Sequence, residues 1–571
     1  MKTIETRNHR FWRGAYAAFL VALLASLTVA VQPSRARADN GGNGNNGNNG
    51  NNNNGRGYGE DGALTSRQRA VLYGIARDTW NFYSADVDPT TQLPMDNIGF
   101  HGAPAKGAYT SPTNIGVYFW SIVSARDLHL IGHKDALSLA NATLTTVEGL
   151  RKWHGFLLSW YDTTNGHYIS APNGDDIQNL TLDQIAQKYP DANARLISTV
   201  DNGWFASGLV ILRQAFPELA SRATVLLNAM NFSDFDNQTV NVNSDNQGQL
   251  CGGVFAGDTP ATTNPCPFRY GMFNTEPRIT IYMGLGTHTL SSDTWWRSWR
   301  TAPDKFDFNG QHPCASPQPP LCYTATYTDP QTGKPVSVFE GHYTYNGINY
   351  IPSWGNSMFE GLMPNLVVPE TTWGTHSFGL NDRDYAQVQI TYATRDLGYP
   401  VWGLSPSSTP DDTGNYIAYG AAGPPRPNGL SANRNCCAYA EWAVTPHASF
   451  LALDVAPQQA FANIQTLRQR YPDIYGPYGF FDAVAPKAYS GPCSPTDSTP
   501  CSAQAGQVGH RYLVLDQSMI MAALDNALNH RAMQRHFAAD PVSVAAHQYL
   551  SLEHFSVSGA NGGENDNQGN Q

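Results

Sequence analysis

Residues 353–370 read S-W-G-N-S-M-F-E-G-L-M-P-N-L-V-V-P-E and set one carboxylate, Glu360, among Trp354, Met358, Phe359, Leu362 and Met363. A charge amid that much apolar surface costs free energy unless it is hydrogen-bonded, paired or put to use. Put to use, such a group carries a proton or attacks a substrate atom. Two further carboxylates stand in ordered-looking sequence: Asp201 in S-T-V-D-N-G-W and Glu276 at the head of E-P-R-I-T-I-Y-M-G-L-G. Asp162, Asp482 and Asp516 stand behind them. Other chemistries find no motif: there is no G-x-S-x-G elbow, no H-E-x-x-H pair and no Gly-rich phosphate loop leading into a helix. No Cys/His spacing resembles a zinc site, so neither metal nor cofactor is expected.

The elements that must position these acids read as helices. Ser111-Pro112 is an N-cap followed by Pro at the first helical position, with Ile115, Tyr118, Phe119 and Ile122 recurring on one face behind it. Residues 139–153 form a second candidate, and Asp201 opens a third that contains Trp204, Leu209 and Leu212. The series continues at 276–285, 382–397, 447–453, 457–471 and 516–528, interrupted by β-like pieces at 156–169 and 323–350. Helices separated by loop-rich segments imply an all-α packing.

Composition narrows the partners. The formal net charge is −11, and it is more negative once residues 1–38, with six Lys/Arg and one Glu, are set aside. That argues against a nucleic-acid or anionic-membrane partner and fits a protein acting on neutral material. Residues 1–38 have a basic start, an apolar run and a small-x-small Ala36-Arg37-Ala38 site, which is the pattern of an export signal. An uncleaved anchor is the alternative; after cleavage no later segment is apolar and long enough to span a bilayer. Residues 39–60 are an Asn/Gly tract and 559–571 a similar polar tail, leaving 61–558 as one large domain. All eight cysteines follow residue 250. Local pairing of Cys251/Cys266, Cys314/Cys322 and Cys493/Cys501 is the expectation, with Cys436-Cys437 left over.

The 353–364 block resembles the S-W-G-x-S-M-F-E-x-L-M-P signature of the glycoamylase-like family, whose members act on glucans, notably β-1,2-linked ones. A relative of the domain processes chains inside cyclic β-1,2-glucan synthases. Further blocks match in family order: T-S-P-T-N-I-G-V-Y-F-W-S at 110–121, S-T-V-D-N-G-W at 198–204, E-P-R-I-T-I-Y-M-G-L-G at 276–286, W-G-L-S at 402–405, T-P-H-A-S-F-L-A-L at 445–453 and Y-G-F-F-D-A at 478–483. They span about residues 105–530. Pro406 departs from the family, where W-G-I-S-E-S is common, and the cysteine-bearing insertions are unusual.

The resemblance implies an (α/α)6 toroid with short β pieces in the cleft loops, and an active site where the inner helices begin. It implies a secreted glycoside hydrolase or transglycosidase acting on an oligo- or polysaccharide. Such chemistry uses two carboxyl groups, one to protonate the leaving oxygen and one as base or nucleophile. Glu276 is then the general acid and Glu360 the second carboxylate, with Asp201 binding a hydroxyl or positioning water. From the residues alone, Glu276 could be a first-turn acid complementing a helix dipole, and Asp201 a simple N-cap. Tyr161, Trp354, Trp373, Trp402 and Trp442 are expected as sugar platforms, and His376 and His447 as hydroxyl ligands. Asp162 and Arg278 complete the expected substrate-binding set, Arg278 orienting a carboxylate. Two other readings stand beside this one: a polysaccharide lyase on the same toroid, and a carbohydrate-binding protein without catalysis.

Overall fold

In the computed structural model, the residues described are 62–100, 107–190, 193–244, 246–301, 323–421, 439–495 and 497–557. Six helices carry the interior: α1 (Pro112–Asp127), α2 (Thr199–Ala215), α3 (Arg278–Gly286), α4 (Met358–Leu362), α5 (Pro446–Leu451) and α6 (Val514–Leu528). They are buried on every side; in α1 each residue from Pro112 to Ala125 is buried. Helices apolar all round belong inside, whereas those with one apolar stripe lie against them. His133–Gly149 and Pro457–Arg470 are of the striped kind, burying Ala136, Ala140, Leu144 and Val147, and Ala460, Ile464 and Leu467.

The inner helices meet in succession. α1 packs on α2 and α6, α2 on α3, and α5 on both α6 and α4. Glycine makes the α1–α2 approach possible. A Cβ on Gly116 would lie 2.6 Å from the Trp204 carbonyl oxygen, and one on Gly208 would lie 2.5 Å from that of Gly116. Between α3 and α4 a side chain makes the link: Arg278 donates to the carbonyls of Glu360 (3.2 Å) and Gly361 (2.6 Å).

The strands are short antiparallel pairs rather than a sheet. Several run straight into the starts of inner helices. Tyr109–Thr110 pairs with Tyr161–Asp162 and leads into α1. Leu196–Ser198 pairs with Gly253–Phe255 and leads into α2, and Arg511–Leu513 pairs with Asn97–Gly99 and leads into α6. These pairs fix the helix N-termini, where the site lies.

The helical expectations hold, with shifts. The second candidate begins earlier and ends sooner, at His133–Gly149, because Lys152–Trp153 turns back as a strand onto Phe156–Leu157. The 382–397 segment is a helix Phe378–Thr391 followed by a π turn, Tyr392–Asp396. Ser66–Asp86, Ala220–Ala229, Ala532–Ala538 and Ser543–Leu552 are helices that the sequence reading did not single out. Cys251–Cys266 and Cys493–Cys501 are bonded as expected. The signal, tract, tail, Cys314/Cys322 and Cys436-Cys437 expectations lie outside the described residues. No helix among the described residues is long and apolar enough to cross a membrane.

Candidate active site

A cavity of about 210 Å³ opens at the N-termini of α1 and α2, lined among others by Asp96, Trp160, Asp201, Trp204, Glu276, Phe359 and Tyr416. Glu276 sits in the turn just before α3, ahead of Pro277. Burial pushes its carboxyl well above the ordinary range, and the charges of Glu360 and Asp201 push it further. Trp204 and, more weakly, Arg278 act the other way. A carboxyl so placed holds its proton, as a general acid must.

Glu360 is treated differently. Ser357 caps α4 by accepting from the Glu360 amide, at 3.2 Å. The carboxylate accepts from Ser353 Oγ (2.5 Å), Tyr439 Oη (2.5 Å) and the Gly355 amide (3.3 Å). Gly355 is required here, since a Cβ would stand 1.8 Å from the Tyr439 ring. Glu360 is 8% exposed and lies behind Phe359 rather than on the cavity wall. Its charge is nonetheless the largest acting on Glu276. The two acids thus share one electrostatic environment, one proton-holding and one placed as acceptor.

Asp201 is not the cap of its helix. Ser198 does that work, accepting from the Asp201 amide at 3.3 Å. The Asp201 side chain is left to line the cavity, held by Thr113 Oγ1 at 2.5 Å. Burial raises its carboxyl above the ordinary range.

His447 departs from its expected role as a hydroxyl ligand on the cavity wall. It is buried beside Asp482 and Asp516, with Nδ1 3.3 Å from Asp516 Oδ2 and Nε2 2.8 Å from Ser405 Oγ. One potential ligand atom from each of the three lies within 4.8 Å of the others, so among the described residues they form a group that could hold a small cation. Protons meet the same need. Burial pushes Asp516 up to about 7 and Asp482 well above its usual range, and lowers His447 to about 4. A carboxyl pair sharing a proton beside a neutral imidazole follows from those directions.

Most of the expected binding residues lie elsewhere. Tyr161 is fully buried, donating to the Arg151 carbonyl (2.6 Å), and Asp162 closes a turn by accepting from Thr164. Arg278 is fully buried and forks onto Glu370 at 2.8 and 2.9 Å, so it braces the site from behind. Trp354 lies edge-on to Trp299 between Ser353 and Gly355, the donors to Glu360. Trp373 packs against Phe537 and His547, and exposed His376 stacks on His554. Trp402 is buried, its backbone tied to Asn463. Trp442 stacks on Tyr489 and donates to the Cys493 carbonyl (2.9 Å). None of these eight lines the cavity.

The residues that the sequence reading missed are Asp96, Trp160, Tyr416 and Tyr439. Trp160 stands just before the strand Tyr161–Asp162 and lines the cavity, whereas Tyr161 is buried away from it. Asp96 is half-buried, accepting from Asn97 Nδ2 (2.8 Å), Tyr109 Oη (2.9 Å) and Asn114 Nδ2 (2.9 Å).

Comparison with known proteins bears on the family resemblance and the fold. The family model described as "Putative glucoamylase" matches residues 315–541. The cyclic β-(1,2)-glucan synthase NdvB of Rhizobium meliloti (strain 1021) is 26% identical over 550 residues, covering 83% of this chain. The chain spans only 18% of that relative's length. Among solved structures, an endo-β-1,2-glucanase from Chitinophaga pinensis, in complex with sophorotriose and glucose, aligns with a TM-score of 0.58 at 14% identity, over 86% of this chain and 99% of that one. The endo-β-1,2-glucanase of Talaromyces funiculosus, in complex with sophorose, aligns at 0.53 and 11% identity, over 82% and 86%. The glycoamylase-like resemblance read from the sequence blocks is borne out, and the chain shares the fold of these glucanases.

Proposed function

We propose that the chain is a secreted glycoside hydrolase or transglycosidase of β-glucans, with β-1,2-linked glucan as its first candidate substrate. One observation carries the reading: Glu276 lies on the cavity wall with its carboxyl driven upward by burial and by the charge of Glu360. In the reaction, Glu276 gives its proton to the glycosidic oxygen as the bond to the anomeric carbon breaks. Glu360, held by three donors just behind the cavity wall, acts on the anomeric carbon through water. The succession of inner helices, linked by Arg278 between α3 and α4, supports the (α/α)6 toroid. The β-1,2 preference rests on what the similar proteins act on or make. Export rests on the N-terminal pattern and fits the two bonded cystine pairs.

The similarity to a glucan synthase favours transglycosylation as a second reading. Incubation with linear β-1,2-, β-1,3- and β-1,4-glucans tests both. Shortened oligosaccharides indicate hydrolysis, and lengthened or cyclised ones indicate transfer. Unsaturated products absorbing in the near ultraviolet would instead mark a lyase. Binding without turnover of any glucan would mark a protein that kept the fold and not the chemistry.

A further inference from the structure

The block at 109–114, Y-T-S-P-T-N, does more than start α1. Its side chains reach three features of the cavity. Thr113 Oγ1 donates to Asp201 Oδ1 at 2.5 Å. Asn114 Nδ2 donates to Asp96 Oδ1 and Tyr109 Oη to Asp96 Oδ2, each at 2.9 Å. The Tyr109 ring also meets Trp160 edge-on, with centroids 5.6 Å apart. Ser111 meanwhile caps the helix, accepting from the Asn114 amide at 3.2 Å, so Asn114 is fixed at both ends.

Among the described residues three donors fill three of the acceptor positions of Asp96, and Oδ1 keeps room for one more. Among the described residues the Asp201 carboxylate is held by the hydroxyls of Thr113 and Ser198, which leaves part of its acceptor capacity open. Both carboxyls therefore offer acceptor capacity to the cavity that they line with Trp160. A neutral pyranose fits this arrangement: its hydroxyls donate, and its C–H face lies on an indole. A uronate or sugar phosphate does not fit, because Asp96 and Asp201 line the same cavity and would repel it.

We infer that Asp96, Asp201 and Trp160 form a subsite for an uncharged glucosyl unit beside Glu276, with Tyr109, Thr113 and Asn114 as positioning residues. The inference rests on the function proposed above and deepens it by naming the sugar-binding residues. Asp96 and Trp160 are substrate-binding residues in this assignment, and Asp201 takes a hydroxyl rather than the reacting proton.

Calorimetry in a non-cleaving background tests it. The Glu276→Gln enzyme is titrated with a linear β-1,2-glucooligosaccharide, then Glu276→Gln carrying Asp96→Asn, and Glu276→Gln carrying Asp201→Asn. Affinity is expected to fall at least tenfold for each double variant. If one double variant is unfolded by circular dichroism, the other decides. Equal affinity in all three would overturn the subsite while leaving the proposed function intact. No binding by Glu276→Gln of any β-glucan would instead remove the proposed function, and the subsite with it. Asn114→Ala in the active enzyme is expected to raise KM several-fold with kcat nearly unchanged. A fall in kcat at constant KM would contradict a positioning role.

Discussion

Glu276 and Glu360 are the same residue type in the same protein, close enough for charge to couple, yet they are held in opposite ways. Glu276 stands in a turn on the cavity wall, where burial and neighbouring acids oppose its ionisation. Glu360 lies in the first turn of a helix, where two hydroxyls and an amide point at its oxygens. The difference teaches that surroundings divide the labour between two carboxyls, and that each surrounding comes from a different stretch of chain. The turn at 276 depends on α3 and Arg278. The cradle of Glu360 depends on Ser353, Gly355 and Tyr439, residues on loops far apart in sequence.

The comparison breaks most visibly at the acids. Glu276→Gln and Glu360→Gln are each expected to lower kcat on glucan by about a thousandfold or more, since in the proposed mechanism each removes a group acting in the transition state. Wild-type kcat/KM should fall on the alkaline side as Glu276 loses its proton, and Glu276→Gln should lose that limb. A limb that persists in the variant would assign it to another group.

A second way to break it is from behind. Arg278 is buried against Glu370 and holds the carbonyls of Glu360 and Gly361. Arg278→Met leaves Glu370 charged and unpaired, and an unfolding free energy lower by about 3–5 kcal/mol is expected in denaturant titrations. The cleft loops give a smaller effect. Trp442 donates to the Cys493 carbonyl, and Asn415 Nδ2 lies 3.7 Å from Cys493 Sγ, next to the cavity residue Tyr416. Replacing Cys493 and Cys501 by Ser should cost about 2–3 kcal/mol, given the short loop they close. KM should rise with little change in kcat.

The last effect concerns the carboxyl pair beside His447. Asp516 is raised to about 7, so between about pH 4 and 7 the folded protein binds more protons than the unfolded chain. That part of the stability is full below pH 4 and is lost as pH rises through 7. Asp516→Asn lacks the titration, so its stability relative to wild type should improve across that window, by about 3 kcal/mol. Thermal unfolding at pH 4.5 and 7.5 measures it. A difference independent of pH would contradict the shared-proton reading.

Local signals in the sequence were the legible ones. Ser111 and Pro112 announced α1, and the two described disulfides follow nearest-neighbour pairing. The acids 201 and 276 do line one cavity, with 360 just behind it. What eluded the sequence was direction. Trp160 and Tyr161 differ by one residue, yet only the first faces the cavity. Trp373 and His376 follow the Glu360 helix but pack on the C-terminal helices and chain end, which no spacing reveals. Arg278 was expected in the substrate-binding set from its place in a family block; its buried partner, Glu370, lies 92 residues away. Ser198 rather than Asp201 caps α2, a shift of three residues that frees the acid for the cavity.

The division of labour between the two glutamates is tested most directly with an aryl β-sophoroside bearing a good leaving group. Its departure needs no proton, so a missing acid matters little and a missing nucleophile or base matters fully. Glu276→Gln is expected to cleave it within about tenfold of the wild-type initial rate while failing on glucan, and Glu360→Gln to fail on both. Equal failure of both variants on the activated substrate, or retention by Glu360→Gln alone, would contradict the assignment of Glu276 as proton donor.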